Sequence, residues 1–92
     1  MKRFKWNSDK NQKLINERGL SFEIIVYYIE KGKILDDVEH PNKEKYGHQK
    51  MFVVNLDDYV CLVPYIENEN DIFLKTIIPS RKATKKYFGG QK

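Results

Sequence analysis

Apolar and polar residues change their spacing along this 92-residue chain, from a helical period near the start to strand-like alternation later. The first clear stripe recurs at i, i+3, i+4 and i+7, the spacing of one helix face. Its members are Phe22, Ile25, Val26 and Ile29. Ser21 before the stripe is an N-cap signal and Gly32 after it is a stop signal, so the pattern predicts a helix. The β-branched content of residues 24–26 favours a strand instead, but the cap, the length and the glycine outweigh it.

A second helix is predicted ahead of this one. Asn7 or Ser8 supplies an N-cap, the helix runs from about residue 9 to residue 18, and Gly19 closes it. Residues 1–6 precede the cap and are predicted to form a short first strand.

The chain after Gly32 is predicted to form strands. Runs rich in β-branched and aromatic residues cover 34–40, 49–56, 59–67 and 72–78. Asp57 and Asp58 form a tight turn between two of these runs. Pro64 cannot donate to a ladder, which predicts an edge segment or a bulge at that point.

The end of the chain is predicted to be helical. Pro79 and Ser80 stop the last strand, and Ser80 caps a helix over residues 81–87, ahead of Gly89 and Gly90. The element order is therefore (β)ααββββα in one domain over residues 1–92. This order predicts an α+β fold, with an antiparallel sheet and helices packed on one face.

Composition narrows the class of protein. Hydrophobic residues make up 40% of the chain and aromatic residues 13%, which is enough for a folded globule with one modest core. Cys61 is the only cysteine, so it can form neither an internal disulfide nor a thiolate zinc cluster, and its apolar neighbours predict a buried, inert thiol. We expect a cytoplasmic protein without a membrane partner, because no signal peptide opens the chain and no apolar stretch approaches the ~20 residues of a membrane span.

Charge is distributed unevenly along the chain. Residues 1–18 hold six Lys or Arg against two acids, residues 75–92 hold six against none, and the middle holds five against eleven. If the two basic ends converge, they form a positive face that attracts a polyanion. We therefore predict that Arg18 or a basic residue of 1–13 shares a face with Arg81 and Lys82. The alternative is ordinary surface charge with a solvated C-terminal tail.

Arg81 and Lys82 form the sharpest local anomaly. Cations in the first turn of a helix oppose its dipole, at a cost of roughly 0.3–1 kcal/mol each. Free backbone N–H groups together with two cations make an anion site, suited to a scissile phosphate. The alternative is a surface helix that tolerates the mismatch.

Other residues offer proton-transfer or stacking chemistry, each with a structural alternative. His40 and His48 bracket residues 41–47, and their imidazoles would face each other if the flanking strands pair; polar loop ends are the other interpretation. Two histidines do not hold a catalytic metal ion, so no metal is expected. Lys75 either lines a groove or extends from the rim of the sheet. Trp6 and Tyr87 could stack an unpaired base, or Trp6 could pack in the core.

Two stretches of the sequence carry a family resemblance. Residues 4–10 contain Phe-x-Trp-Asn-x-x-Lys, and residues 18–23 spell Arg-Gly-Leu-Ser-Phe-Glu. Residues 78–87 spell Ile-Pro-Ser-Arg-Lys-Ala-Thr-Lys-Lys-Tyr. At this spacing and chain length, the two ends together resemble the BrnT family of toxins. The chain departs from the family pattern at Arg18, where histidine is usual, and at Leu14, where asparagine is usual.

The resemblance implies a RelE-like fold and a cofactor-free, metal-independent endoribonuclease that cleaves RNA and blocks translation. It implies a cognate antitoxin of ribbon-helix-helix type as partner, through which operator DNA would be bound. The alternative is a non-catalytic module that binds nucleic acid or antitoxin on the same scaffold. Catalytic candidates are Arg81, Lys82, Lys75, His48 and His40. RNA-binding candidates are Arg18, Lys10, Lys85, Lys86, Tyr87 and Trp6.

Overall fold

A computed structural model describes residues 2–47 and 49–89 of the chain, and the fold is α+β. The helices are α1 (Ser8–Arg18), α2 (Phe22–Glu30), α3 (Lys43–Tyr46) and α4 (Arg81–Phe88). The strands are β1 (Arg3–Lys5), β2 (Ile34–Glu39), β3 (Lys50–Leu56), β4 (Tyr59–Glu67), β5 (Asp71–Leu74) and β6 (Ile78–Pro79). The single-turn helix α3 lies where the sequence indicated only a loop.

The first two helices begin at the predicted N-cap residues and α1 ends at the predicted Gly19, whereas α2 has Lys31 as its C-cap, one residue before the predicted Gly32. The Asn7 side chain accepts a hydrogen bond from the backbone N–H of Lys10 at 2.9 Å, and Gly19 ends α1 with a left-handed φ of 66°. Ser21 caps α2 by accepting from Ile24 N–H at 3.1 Å. The β-branched residues 24–26 are helical, so the cap and the apolar stripe outweigh their strand propensity.

The buried side chain of Asn11 joins α1 to α2. Its Oδ1 accepts from the backbone N–H of Phe22 at 2.7 Å, and its Nδ2 donates to Glu23 Oε1 at 2.9 Å. The Asn11 amide thereby satisfies a free N–H of the first turn of α2 and lowers the pKa of the Glu23 carboxyl. This hydrogen bonding ties the first turn of α2 to α1.

The sheet is mixed, and the prediction of a purely antiparallel sheet is wrong. The strand order is β1-β5-β4-β3-β2, with β6 pairing β4 next to β5, and β2 forms an open edge. The terminal strand β1 runs parallel to β5, with Arg3 opposite Asp71, while the other pairs are antiparallel. The sequence indicated a strand at this position but carried no signal for its partner, because the pairing spans most of the chain.

The predicted strand 72–78 is interrupted at residues 75–77, between β5 and β6. Pro64 lies opposite this gap in β4, and its carbonyl accepts from Lys75 N–H at 2.8 Å. In a strand, the N–H and C=O of one residue point toward the same neighbouring strand. The carbonyl of Pro64 points toward Lys75, so the N–H that proline lacks would have pointed there too, at the site where the neighbouring strand is interrupted. A continuous strand would place Leu74 and Ile77 on opposite faces, but both belong to the same buried core cluster.

Helices cover both faces of the sheet, which corrects the prediction of one covered face. Helices α1 and α2 pack on the face that carries the main core, formed by Leu14, Phe22, Ile25, Phe52, Val54, Cys61, Val63, Tyr65, Leu74 and Ile77. Helix α4 crosses the other face, because the Tyr87 hydroxyl contacts Asp36 at 3.3 Å and Asp36 is paired with Val53. Val53 alternates with Phe52 and points away from the main core, yet it is only 3% exposed. The two faces are thus buried by different ends of the chain.

No helix in the two described ranges is long and apolar enough to cross a membrane.

Candidate nucleic-acid interface

The start of α4 is fixed to the beginning of β4 by two hydrogen bonds. Ser80 N–H donates to the carbonyl of Val60 at 3.0 Å, and the Thr84 hydroxyl accepts from Val60 N–H at 2.8 Å. The same hydroxyl donates to the Ser80 carbonyl at 2.7 Å. Ser80 Oγ caps the helix by accepting from Ala83 N–H at 3.0 Å, as predicted from the sequence. The first turn of α4 therefore sits on a rigid support.

Helix α4 has one face toward the sheet and one toward solvent. The residues on the sheet side are half-buried: Ala83, Thr84, Tyr87 and Phe88. The residues on the solvent side are exposed and all basic: Arg81, Lys82, Lys85 and Lys86. We call these four residues the basic face of α4.

The cations at the two ends of the chain have different surroundings. Lys2 pairs with Glu67 at 2.6 Å, and Arg3 and Lys5 each lie 3.5 Å from a carboxylate oxygen of Asp71. No cation of the basic face lies within 4.0 Å of a carboxylate anywhere in residues 2–47 or 49–89. Positive charge is therefore partly neutralised along β1 but not along α4.

Arg18 lies against the segment that leads into α4. Its Nη1 donates to the carbonyl of Ile77 at 3.2 Å, four residues before Arg81. Lys10, another RNA-binding candidate, lies about two turns away on the same helix, roughly 12 Å along its axis. Of the two α1 candidates, only Arg18 contacts the C-terminal part of the chain in the part that the structure describes.

Lys75 is separated from the start of α4. Its backbone N–H binds Pro64 on β4, whereas Ser80 binds Val60, so the two contacts are four strand residues or about 13 Å apart. The exposed ammonium lies 5.3 Å from the Phe73 ring centroid. Lys75 thus takes the rim position that the sequence left open as the alternative to a groove.

The histidine pair is described only in part. Strands β2 and β3 pair as the prediction required, and His40 N–H donates to the Gln49 carbonyl at 3.1 Å. The His40 ring packs on Tyr46 at 4.4 Å between centroids, and its Nδ1 accepts from Asn42 N–H at 3.2 Å. His48 lies outside the described residues. His40 therefore organises the β2–α3 loop, at the opposite end of β3 from the strand pairing that supports α4.

The two aromatic candidates are engaged inside the protein. Trp6 stacks on Phe22 with 5.7 Å between ring centroids and packs against the core, the alternative that the sequence analysis kept open. Tyr87 is half-buried, and burial together with the neighbouring Asp36 raises the pKa of its phenol. A phenol with a raised pKa stays protonated near neutrality and cannot serve as the base that accepts a proton.

A cleft of about 470 Å³, which no sequence pattern indicated, lies at the end of the sheet near the β3–β4 turn. We call it the hairpin cleft; its lining consists of Arg18, Leu20, Ile24, Tyr28, Leu56, Asp57, Tyr59, Cys61 and Pro79. The Tyr28 hydroxyl donates to Asp57 Oδ2 at 2.8 Å, and this bond raises the Tyr28 pKa. The i, i+4 spacing of Ile24 and Tyr28 indicates a shared helix face, but no local signal places that face against the turn.

Cys61 forms part of the floor of this cleft and is 2% exposed. Burial raises the pKa of its thiol to about 11. The thiol is therefore protonated and unreactive near neutral pH, as the apolar sequence around it indicates. Across residues 2–47 and 49–89, no three His, Cys, Asp or Glu side chains group closely enough to hold a metal ion.

Comparisons with protein-family models, curated proteins and solved structures found no match to this chain.

Proposed function

We propose that this chain is the toxin of a bacterial type II toxin–antitoxin pair, a cytoplasmic endoribonuclease that binds RNA along the basic face of α4. The observation that carries RNA binding is that face itself: four exposed cations, without a carboxylate partner in the described chain, on a helix anchored to the sheet. The toxin assignment draws its support from the BrnT-like residues at both ends of the chain.

The arrangement of the four cations suits a polymer better than a single small anion. Arg81 and Lys85 lie one helical turn or about 6 Å apart along the axis, as do Lys82 and Lys86. The result is two short rows of positive charge on one exposed surface. Neutralisation of several phosphates releases counterions, so binding to this face will weaken steeply as salt increases.

Arg81 has the best position for chemistry at a phosphate. Metal-free cleavage uses the 2′-OH as nucleophile and develops extra negative charge on the phosphate oxygens. The planar guanidinium can bind two of these oxygens. The N–H groups of Ala83 and Thr84 are taken by Ser80, which leaves those of Arg81 and Lys82 in the first turn for a ligand.

A second candidate function is a non-catalytic module that binds RNA or an antitoxin on this surface. The position of His40 favours it, because the described histidine lies in the β2–α3 loop rather than beside α4. Cleavage also needs a group that accepts the 2′-OH proton and one that protonates the leaving oxygen. Binding alone needs only the cations.

Incubation of the purified protein with RNA in the presence of EDTA separates the two functions. Attack by the 2′-OH leaves a 2′,3′-cyclic phosphate on one fragment and a 5′-OH on the other, and both are detected by end-labelling. The Arg81→Ala protein, purified identically, controls for contaminating ribonuclease. New 5′-OH ends with the wild type alone support the endoribonuclease. A mobility shift of the RNA without new ends would refute it and leave the binding module.

The toxin assignment is tested in cells. Induced expression of this chain alone should arrest growth, and co-expression of the adjacent gene should restore it. Normal growth with abundant folded protein would contradict the assignment. A short ribbon-helix-helix reading frame beside this one is the expected source of the antitoxin.

A further inference from the structure

We infer that the hairpin cleft binds an unstacked guanine nucleotide, with its phosphate toward Arg18 and its base toward Asp57. As part of an RNA site this inference rests on the proposed function, because the cleft would then hold one base of the strand that α4 binds. Guanosine monophosphate tests the cleft separately.

The walls of the cleft suit a flat aromatic ring. Leu20, Leu56 and Pro79 supply apolar surface, and Tyr59 is 41% exposed at the opening. Proteins that bind single-stranded RNA splay a base out, stack it on an aromatic side chain and hydrogen-bond its Watson–Crick edge. A volume of about 470 Å³ lies within the usual range for a small-ligand pocket.

Arg18 marks the phosphate end of the cleft. Its side chain is held in place by one hydrogen bond from Nη1 to the Ile77 carbonyl at 3.2 Å. A guanidinium carries five N–H donors, so the remaining donors can bind phosphate oxygens. No carboxylate lies within 4.0 Å of Arg18 in the described ranges.

The pair of Asp57 and Tyr28 marks the base end and determines which base fits. Tyr28 occupies one lone pair of Asp57 Oδ2 and leaves the remaining acceptor positions of the carboxylate open. Guanine presents two adjacent donors on its Watson–Crick edge, N1–H and N2–H, which match a carboxylate. Adenine presents an acceptor at N1, and uracil places a carbonyl on each side of its single N–H. The carboxylate therefore selects guanine.

The cleft lies on the face of the sheet that α1 and α2 cover, and the chain connects it to the start of α4 on the other face. Pro79 lines the cleft and Arg81 follows it by two residues, with Ser80 between them fixed to β4. A strand whose phosphates lie along α4 therefore has to pass around β6 at the edge of the sheet to turn one base into the cleft and place the next phosphate near Arg18.

Titration with guanosine 5′-monophosphate, followed by amide NMR signals, is the direct test. We expect shifts at Leu20, Ile24, Leu56 and Tyr59, and binding about tenfold or more tighter than that of adenosine 5′-monophosphate, the value of a matched bidentate contact. The two nucleotides carry the same phosphate, so the difference reports on the base.

Asp57→Asn and Asp58→Asn form a matched pair of variants. Both residues have positive φ, 52° and 69°, a conformation that asparagine tolerates, so both variants keep the turn. Only Asp57 lines the cleft. We expect Asp57→Asn to lose the preference for guanine and Asp58→Asn to keep it. Equal effects of the two changes, or nucleotide-induced shifts confined to α4, would overturn the inference.

Binding of an RNA oligonucleotide, measured by fluorescence anisotropy, distinguishes failure of this inference from failure of the proposed function. RNA that binds α4 while guanosine monophosphate stays out of the cleft overturns the inference alone. Guanosine monophosphate that enters the cleft of a protein unable to bind or cleave RNA overturns the proposed function and supports a nucleotide site.

Discussion

The hydroxyl of Thr84 accepts a hydrogen bond from the backbone N–H of Val60 at 2.8 Å, so a side chain of α4 satisfies a main-chain donor of β4. Val60 is fully buried, so loss of this acceptor would leave its N–H shielded from solvent. The contact links the basic face of α4 to the sheet, because Thr84 lies between Lys82 and Lys85 along the helix. Rigidity of the basic face of α4 therefore depends on a residue that carries no charge.

Thr84→Val should destabilise the fold while leaving every cation of α4 in the sequence. The change keeps the shape of the side chain but leaves the buried N–H unpaired, at a cost of about 1–3 kcal/mol. Urea unfolding measures the loss. Thr76→Val is the matched control, since Thr76 is half-buried outside the regular elements, and it should change stability by less. Equal stability of the Thr84 variant and the wild type would contradict the role of this contact.

Arg81→Ala should leave the fold intact and abolish toxicity. Arg81 is exposed and lies in the first turn of α4, so its removal costs no packing and relieves a repulsion with the helix dipole. Loss of a contact to the charged transition state typically lowers the rate about a hundredfold. Arg81→Lys should lose most of the activity as well, because an ammonium cannot bind two oxygens in one plane.

The controls for Arg81 are Lys86→Ala, which should weaken RNA binding mildly, and Lys75→Ala, which removes an exposed cation away from α4. Full toxicity of Arg81→Ala combined with inactivity of Lys75→Ala would move the site onto the sheet.

Folding stability should fall as the pH rises from about 9 to about 11, because of Cys61. Burial raises the pKa of this thiol from 9.0 to about 11. Between these two values the native state keeps a proton that the unfolded chain releases. The contribution of the thiol to the free energy of unfolding is therefore complete below pH 9 and is lost as the pH rises to the pKa of the folded state. A shift of this size corresponds to a loss on the order of 2 kcal/mol.

Urea unfolding at pH 7, 9 and 11 checks this dependence. Tyr65 adds to the same trend, since burial and its hydrogen bonds to Asp37 also raise its pKa. The difference in free energy of unfolding between wild type and Cys61→Ala at each pH therefore isolates the contribution of the thiol. Parallel pH profiles for the two proteins would contradict the assignment.

The antitoxin should cover the basic face of α4. An acidic or amphipathic segment complements four cations that have no carboxylate partner in the described chain, and it would compete with RNA for the same surface. Amine-reactive labelling should therefore be slowed at Lys82 and Lys85 by the antitoxin and by RNA alike. Lys31, exposed at the end of α2, is the control and should stay reactive. Protection restricted to sites away from α4 would indicate an indirect mechanism of inhibition.

Features set by neighbouring residues could be predicted from the sequence, whereas those set by distant pairings could not. The caps at Asn7, Ser21 and Ser80 each involve a bond to a residue three positions away, so local pattern was sufficient. Pro64 correctly indicated a missing backbone donor in β4, but the resulting interruption lies on the neighbouring strand, at residues 75–77 between β5 and β6.

The candidate site likewise has one part that local sequence predicts and another that depends on contacts between distant residues. The charge of Arg81 and its place at a helix start are local, and the sequence predicted both. The hairpin cleft depends on a contact between Tyr28 and Asp57, 29 residues apart, and on the packing of α2 against the β3–β4 turn. No spacing rule connects such positions, so nothing in the sequence indicated that these side chains meet.

The open edge at β2 bears on the behaviour of the protein at high concentration. Its exposed main-chain groups could pair with the β2 strand of a second molecule, but Asp36, Asp37 and Glu39 would then bring two acidic segments together. Like charges on facing strands oppose each other, so these carboxylates disfavour pairing of the edge with its own copy, and Lys43 and Lys50 offset part of that repulsion at Glu39 and Asp37. Replacement of these carboxylates by amides removes the electrostatic barrier, and self-association through the sheet edge should then increase.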